Sequence, residues 1–401
     1  MKSKSIKLVA LKEHAKFLRG LTFKPTDKVD FLSPDSVACM RTKNVQAELD
    51  ESDIIAIPKR LVKNSEKLLC EGDILVSSAN SWNLVGKCCW VPKLSYESTA
   101  GGFISVLRPK DEKLNKRYLY QWFSSEVIQH QVRSFGNQTT NISNLDHKRT
   151  LNLEIPLPPL EEQKRIAKIL DAADGLRQQR REALTELDTF LQSTFLDLFG
   201  DPVTNPKGWD VISFDKIGKF ISGATPSKQR ADFWDGEFPW VSPKDMKVNR
   251  IVDSIDHISD SAFKETNLKR ISPSHVLIVV RGMILAHSFP VAVNEVEIAI
   301  NQDMKAISPD ESFDTIFLSE CIRGLKTKIL SEVSTAGHGT KRFDAIAMAK
   351  INVPVPPLDL QQHFAKIVTK VEEQKTRMRE QLTELDDLFA ALQQRAFNGE
   401  L

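Results

Sequence analysis

The sequence contains no uninterrupted run of 18 apolar residues, which is the length that a membrane-spanning helix needs. Its first seven residues include three lysines, but no apolar segment follows them, so we expect no signal peptide. Cysteine is scarce, because the chain has only five, and none forms a C-x-x-C pair. An odd number of unpaired cysteines is typical of reduced thiols. These absences predict a cytoplasmic protein with no membrane partner.

The motifs of several enzyme classes are also missing. No G-x-x-x-x-G-K-[ST] phosphate loop occurs, and no G-x-G-x-x-G follows a predicted strand. The eight histidines show neither H-E-x-x-H nor zinc-ligand spacing. The N/D-P-P-aromatic tetrapeptide of base-amino methyltransferases is absent as well. We therefore interpret the chain as non-catalytic, with no metal site and no cofactor of its own.

Length and composition indicate more than one globular domain. The chain has 401 residues, of which 41% are hydrophobic and 27% are charged. Residues 1–150 contain 24 Lys and Arg against 16 Asp and Glu, whereas residues 208–350 contain 18 against 19. The basic first part suggests a polyanionic partner, and the nearly neutral second part does not.

A long internal repeat determines the domain organisation. Residues 155–198 and 353–396 both begin with the pattern Pro-x-Pro-Pro-Leu-x-x-Gln, and the tetrapeptide Thr-Glu-Leu-Asp recurs at 185–188 and 383–386. The offset is 198 residues throughout, without a gap. A repeat of this length indicates a duplicated unit that consists of a domain and a connector.

Each repeated segment has the signals of a long helix. Two prolines precede it, acidic residues follow in its first turn, and a glycine lies just beyond its end. About 37 residues between these signals would form roughly 55 Å of helix. Apolar residues recur at alternating spacings of three and four, which is typical of a coiled-coil seam. Because the chain must run out along one helix and return along the other, we predict an antiparallel pair.

Three polar residues interrupt the predicted seam, namely Arg180, Gln374 and Gln381. We expect them to fix the register of the two helices, as single polar core residues can do. If the helices cross at their midpoints, Arg180 should form an ion pair with Glu380.

The repeat extends more weakly into the preceding segments. Residues 73–78 match 275–280 as strand-like runs, and residues 103–109 parallel 303–309. The predicted fold is therefore two α/β (α+β) domains joined by two long antiparallel coiled-coil helices, with pseudo-two-fold symmetry. The predicted boundaries are 1–154 and 201–352 for the domains, and 155–200 and 353–401 for the proline-led helices.

The doubled order of domain and Pro-x-Pro-Pro-Leu-x-x-Gln helix resembles the specificity (S) subunit of type I restriction–modification enzymes. The segments Gly208-Trp209-Asp210 and Ile221-Ser222-Gly223-Ala224-Thr225-Pro226 fit this resemblance, as do the Gly/Thr-rich approaches to each helix at 136–142 and 337–343. Two features depart from it. Leu360 and Gln362 replace Glu162 and Lys164 of the first copy, and the first domain lacks the equivalent of Pro226.

The resemblance implies two target-recognition domains, each of which reads one half of a split, asymmetric site in double-stranded DNA. It also implies that the helices bind two methyltransferase (modification) subunits and that motor–nuclease (restriction) subunits join the complex. S-adenosylmethionine, ATP and magnesium are then expected on those partner subunits and not on this chain. A different hypothesis, which the residues leave open, is a non-catalytic coiled-coil scaffold that spaces two protein-binding domains.

Candidate DNA-binding residues are polar or basic side chains in loops near predicted strand ends, because such groups can contact base edges or phosphates. In the first domain these are Ser78, Asn80, Ser81, Trp82, Asn83, Lys87, Arg133, Asn137, Gln138, Thr139 and Asn141. In the second domain these are Thr225, Ser227, Lys228, Gln229, Arg230, Lys244, Lys247, Arg281, His287, His338, Lys341 and Arg342.

Candidate partner-binding residues lie at the start of each repeated helix, on what we expect to be its outer face. These are Gln163, Lys164, Arg165, Lys168, Gln361, Gln362 and Lys366.

Overall fold

In a computed structural model, the chain divides into two units. Unit 1 comprises residues 1–181 and 380–401, and unit 2 comprises residues 182–379. The structure describes residues 7–31, 33–138, 142–335 and 339–401, and of residues 137 and 138 it describes the backbone. Both unit boundaries fall inside long helices, so each unit contains part of both.

Unit 1 contains twelve named strands within the described ranges. They are β1 (Leu8–Ala10), β2 (Ala15–Arg19), β3 (Ser36–Met40), β4 (Ile55–Pro58), β5 (Ile74–Ser77), β6 (Ala79–Asn80), β7 (Cys88–Trp90), β8 (Ser98–Ala100), β9 (Ile104–Pro109), β10 (Asn137–Gln138), β11 (Ser143–Asn144) and β12 (Glu154–Pro156). Its helices are α1 (Leu11–His14), α2 (Lys116–Phe123), α3 (Glu126–Ser134), α4 (His147–Leu151) and the first part of α5 (Leu160–Phe199).

The central sheet of unit 1 has the strand order β2-β9-β5-β7, and a second sheet has the order β4-β3-β8. Strand β5 reads Ile-Leu-Val-Ser and is buried throughout, as expected for a central strand with covered faces. Helices α2 and α3 supply Tyr118, Trp122 and Val132 to the main core of the unit. A short pair, β1 and β12, brings the two ends of the domain together.

Unit 2 repeats this arrangement with the strands β13 (Val211–Ser213), β14 (Gly218–Ser222), β15 (Phe238–Val241), β16 (Arg250–Ile251), β17 (Asp256–Ile258), β18 (Val276–Val279), β19 (Val291–Asn294), β20 (Ala299–Ile300), β21 (Met304–Pro309), β22 (Ser334–Thr335), β23 (Lys341–Arg342) and β24 (Asn352–Pro354). Its helices are α6 (Asp260–Glu265), α7 (Thr315–Gly324), α8 (Lys326–Glu332), α9 (Ala345–Ala349) and part of α10 (Leu358–Asn398).

The sheets of unit 2 follow the order of those in unit 1. The order β14-β21-β18-β19 corresponds to β2-β9-β5-β7, with β16 added at the edge. The order β17-β15-β20 corresponds to β4-β3-β8, and in both sheets the last strand pairs in parallel with the middle one. The predicted match of residues 73–78 with 275–280 is confirmed, because these runs contain the equivalent strands β5 and β18. The predicted duplication of an α/β domain is therefore present in the fold.

The two long helices begin and end at the predicted signals. α5 starts directly after Pro159, and α10 starts after Pro357. Gly200 and Gly399 follow their ends with φ values of +79° and +78°, a conformation that glycine adopts without steric cost.

Each unit shows that the helices run antiparallel. In unit 1, Ile166 and Leu170 of α5 share a core with Phe389 and Ala396 of α10. In unit 2, Phe195 and Phe199 from the end of α5 pack against Phe364 near the start of α10, at ring-centroid distances of 5.5 Å in both cases. The early part of one helix thus meets the late part of the other in both units, as predicted.

The predicted phase of the seam on α10 is wrong in part. Gln374 and Gln381 are exposed, whereas Lys375 is only 3% exposed. The buried positions Phe364, Val368, Val371, Lys375 and Met378 follow spacings of four and three, not three and four. Gln374 and Gln381 therefore do not fix a register from within the seam.

The predicted ion pair between Arg180 and Glu380 is also wrong, since neither side chain forms one with any described residue. Two other charged groups link the helices instead. In unit 1, Arg177 contacts Asp386 at 2.6 Å and Asp174 at 2.8 Å. In unit 2, Lys375 contacts Asp188 at 2.6 Å and Glu372 at 2.7 Å.

These two groups are equivalent under the 198-residue offset, and each includes the aspartate of the repeated Thr-Glu-Leu-Asp tetrapeptide. This aspartate, Asp188 or Asp386, forms the ion pair with the basic residue of the other helix in each unit.

Within the described residues, no helix is both long enough and apolar enough to cross a membrane.

Candidate nucleic-acid interface

Three basic side chains of unit 2 lie together where β18 ends and β21 begins. We call Arg281, Lys305 and Arg342 the basic cluster. Arg281 follows β18 and forms a β-bridge with Arg342 of β23. Lys305 lies on β21, and its Nζ donates to Ser222 Oγ at 3.0 Å. Arg281, Lys305 and Arg342 line one surface depression together with Gln302.

The cluster joins two residues that the sequence analysis selected with one that it did not. Arg281 and Arg342 were predicted as DNA-binding residues, and a β-bridge brings them together. Lys341, also predicted, precedes Arg342 on β23, and its Nζ donates to Thr335 Oγ1 at 2.9 Å. Lys305 was missed because it lies within strand β21, whereas the sequence analysis selected residues in loops near strand ends.

The equivalent place in unit 1 carries amide and hydroxyl groups. There β6 pairs with β11, so that Ala79 lies opposite Asn144 and Asn80 lies opposite Ser143. Asn80 is held on both sides of its amide: Nδ2 donates to Ser77 Oγ at 3.2 Å, and Oδ1 accepts from the Ser81 N–H at 2.9 Å. The two units thus present different chemistry on the same scaffold position.

The other candidates of unit 1 form a looser group after β6. Ser81 Oγ donates to Asn83 Oδ1 at 2.7 Å, and the Trp82 side chain is 50% exposed. Lys87 points to the loop between β3 and β4, where its Nζ donates to Gln46 Oε1 at 2.6 Å. Ser78 is half-buried beside this loop, and Arg133 is half-buried in the last turn of α3.

A second group of candidates in unit 2 lies beside its smaller sheet, and acids hold two of its basic side chains. Arg230 donates to Asp232 at 2.7 Å and to Glu265 at 3.0 Å. Its guanidinium lowers the pKa of the Asp232 carboxyl below its usual value through hydrogen bonding. Lys244 contacts Asp256 at 2.7 Å, which raises the pKa of the lysine. These charges are partly neutralised before any phosphate approaches.

The remaining candidates of unit 2 have fewer constraints. Ser227, Lys228 and Gln229 are exposed, and Thr225 is half-buried. Lys247 and His287 line one depression together with Lys326. Thr139, Asn141 and His338 lie outside the described residues, as do the side chains of Asn137 and Gln138.

The placement of Gln163 and Gln361 on outer helix faces is wrong, because both side chains are 0% exposed. Gln163 Oε1 accepts from the Asn115 N–H at 2.8 Å, while its Nε2 donates to the carbonyls of Lys113 at 2.8 Å and Pro158 at 2.9 Å.

Gln361 repeats the pattern one unit later. Its Oε1 accepts from the Asp314 N–H at 2.9 Å, and its Nε2 donates to the carbonyls of Ser312 at 2.9 Å and Pro356 at 2.7 Å. Asn115 and Asp314 are the N-cap residues of α2 and α7. Each glutamine therefore fastens a long helix to its domain and is not available to a partner.

The other predicted partner-binding residues are exposed. Lys164 and Arg165 form ion pairs with Glu161 and Glu162 one turn earlier on α5, at 2.8 and 2.6 Å. Lys168, Gln362 and Lys366 are exposed as well. Their role in binding stays a prediction.

Comparison with known proteins identifies the repeated domain. The profile of the "Type I restriction modification DNA specificity domain" matches this chain twice, over residues 7–186 and 206–386. The EcoR124I/EcoR124II specificity subunit of Escherichia coli is 28% identical over 291 residues, which cover 71% of this chain and 69% of that subunit. The EcoKI specificity subunit of Escherichia coli K12 is 32% identical over 155 residues, covering 38% of this chain and 33% of that subunit.

Solved structures agree on the fold. The S subunit of a type I restriction–modification system from M. genitalium aligns with 99% of this chain and 98% of its own length, at a TM-score of 0.57 and 15% identity. A chain from a study of complex assembly in the type I R-M system aligns with 98% of this chain and 100% of its own length, at a TM-score of 0.55 and 18% identity. With both halves matched by the same domain profile, the chain belongs to the family of type I restriction–modification DNA specificity subunits.

Proposed function

We propose that this chain is the non-catalytic, DNA-reading subunit of a type I restriction–modification complex, and that its two domains read the two different halves of a bipartite site. One observation carries the proposal: the same strand order occurs twice, with different side chains at equivalent positions. Arg281 in unit 2 corresponds to Ala79 in unit 1.

The chemistry of these positions supports unequal half-sites. Arginine and lysine pair with guanine in the major groove, and asparagine and glutamine pair with adenine. A scaffold that changes these residues while it keeps its sheets is suited to reading different bases. The bases between the half-sites would remain unread, because specificity comes from base-edge contacts and phosphate contacts carry no sequence information.

The proposal assigns two methyltransferase subunits and the restriction subunits as partners. The relatives are named as specificity subunits of type I restriction enzymes, which supports a multi-subunit complex. The candidates for partner contacts at the starts of the long helices are then the exposed polar and charged residues Lys164, Arg165, Lys168, Gln362 and Lys366. S-adenosylmethionine would be bound by the methyltransferase subunits, and ATP and magnesium by the restriction subunits.

The test is to express the chain with its methyltransferase subunits in a host that lacks DNA methylation and to map methylated bases by long-read sequencing. We expect one bipartite asymmetric motif. Replacing residues 208–350 with those of another family member should change one half of the motif and leave the other half intact. A scaffold without a nucleic-acid role would give no motif and no salt-dependent gel shift on random duplexes.

A further inference from the structure

Arg281 differs from the other exposed arginines of unit 2 because its backbone and its side chain are both held by one residue. The N–H groups of Val280 and Arg281 donate to the Asp303 carbonyl at 2.8 and 3.2 Å. The Arg281 Nε donates to the Asp303 carboxylate at 2.7 Å. We propose that Arg281, oriented by Asp303, reads a guanine in the half-site recognised by the second domain.

The inference rests on the proposed function and narrows its base-reading surface to one side chain. Arg281 lies two residues after the end of β18, whose four residues are fully buried. The Gly282 N–H donates to the Lys341 carbonyl at 3.0 Å, and the β-bridge to Arg342 fixes the other side. A side chain that starts from such a fixed backbone can keep the geometry that base recognition needs.

The ion pair with Asp303 leaves the two terminal nitrogens of the Arg281 guanidinium available for other contacts. Only Nε contacts the carboxylate, and the side chain remains 48% exposed. Both terminal nitrogens can then donate to O6 and N7 of one guanine, the commonest specific contact in the major groove. Because an exposed ion pair contributes little to stability, the pair is better explained by orientation of the guanidinium than by support of the fold.

Two other arginines of unit 2 provide the contrast. The Nε and both terminal nitrogens of Arg230 donate hydrogen bonds to Asp232 and Glu265. Its guanidinium carbon lies 4.2 Å from the centroid of the Phe233 ring. Arg342 is exposed, and among the described residues no acceptor holds its guanidinium. Arg342 is therefore suited to phosphate, which needs charge but no fixed direction.

The first domain has no counterpart of this arginine. Ala79 occupies the equivalent position, and exposed Phe103 takes the place of Asp303 at an offset of 200 residues. The guanine contact is thus a property of one domain, which fits two unequal half-sites.

The experiment compares Arg281→Lys, Asp303→Asn and Arg342→Lys in the full complex with the methyltransferase subunits. Arg281→Lys keeps the positive charge but removes the two paired donors of the guanidinium. Asp303→Asn removes the carboxylate that orients Arg281. Arg342→Lys is the matched control on the adjacent strand. Methylated motifs are mapped by long-read sequencing, and binding is measured by competition between duplexes that differ at one base pair. Thermal unfolding of each variant checks that it is folded.

We expect Arg281→Lys to relax one G·C position and to reduce discrimination there by about 5- to 150-fold. Asp303→Asn should relax the same position while overall affinity stays near that of the wild type, and Arg342→Lys should leave the motif unchanged. The inference is overturned if Arg281→Lys leaves every position intact, if the relaxed position is A·T, or if Arg342→Lys relaxes the same base pair equally.

Should Arg281→Lys fail to accumulate as folded protein, the motif of Asp303→Asn decides in the same way. A wild-type complex that methylates no bipartite motif would overturn the proposed function itself, and this inference with it. A bipartite motif that survives both substitutions would overturn the inference alone.

Discussion

Replacing Gln361 with leucine tests whether the buried glutamines fasten the long helices to their domains. Leucine has a similar volume and keeps the helix, but it removes three hydrogen bonds of 2.7–2.9 Å. The Asp314 N–H and the carbonyls of Ser312 and Pro356 lose this partner inside the protein. A buried polar group left without a partner costs about 1–3 kcal/mol.

The carbonyls retain a second lone pair and leucine gains some apolar contact, so we expect a total loss of about 3 kcal/mol. For a unit of about 200 residues, this corresponds to a fall in melting temperature of roughly 6–12 °C. The transition of unit 2 should shift and that of unit 1 should not, because all these groups lie in residues 182–379. Gln163→Leu should instead lower the melting temperature of unit 1 and leave that of unit 2 unchanged.

Differential scanning calorimetry of the full chain measures both transitions. The matched control is Gln362→Leu, since Gln362 is exposed one position further along the same helix. Its free energy of unfolding should change by no more than about 0.5 kcal/mol. Equal melting temperatures for Gln361→Leu and the wild type, or equal losses for Gln361→Leu and Gln362→Leu, would refute the reasoning.

Three further predictions concern buried ionisable groups. Lys375→Met should lower the free energy of unfolding of unit 2 by about 2 kcal/mol in urea, because two carboxylates lose their shared cation; no loss would contradict the role of this ion pair. Burial raises the pKa of Cys39 and Cys89 to about 12, so a thiol reagent at pH 8 should label exposed Cys70 first, and Cys70→Ser should remove that fast phase. Burial lowers the pKa of His147 in the folded protein below its ordinary value of 6.5. As the pH falls, His147 is therefore protonated in the unfolded chain before it is protonated in the folded one, and unit 1 should lose stability below about pH 6.5. His147→Gln should flatten that part of the pH dependence in urea titrations, and an unchanged slope would contradict it.

The duplicated domains and the antiparallel helices could be predicted from the sequence, because both follow from the internal repeat and from the order of its segments along the chain. The signals at the start and end of each long helix are local, and so the bounds of α5 and α10 followed from prolines, acidic residues and glycines. The equivalent strands β5 and β18 were visible as apolar runs at a constant offset.

The phase of the seam could not be read in the same way. Spacings of three and four can begin with either number, and α10 offers apolar residues for both choices. A buried lysine at 375 looks polar in the sequence and becomes compatible with the seam only through Asp188 and Glu372. The burial of Gln163 and Gln361 has the same origin, because two of the three backbone groups that each glutamine contacts lie 47 to 50 residues away.

The candidate interface was predictable by residue type but not by role. Arg230, Arg281 and Arg342 look alike in the sequence. They differ only through acids that the fold brings near: Glu265 beside Arg230 and Asp303 beside Arg281. Which arginine is neutralised, which is oriented and which is unconstrained is a property of the tertiary structure.

The composition of unit 1 has a consequence for synthesis on the ribosome. Phe389, Ala396 and Phe397 belong to the core that residues 7–181 build, and the Phe397 ring lies 5.5 Å from that of Tyr118. During synthesis, the core of unit 1 therefore stays partly exposed to solvent until some two hundred later residues have been added. Loss of the residues after about 380, through proteolysis or a premature stop codon, would expose the core of unit 1 and leave unit 2 complete.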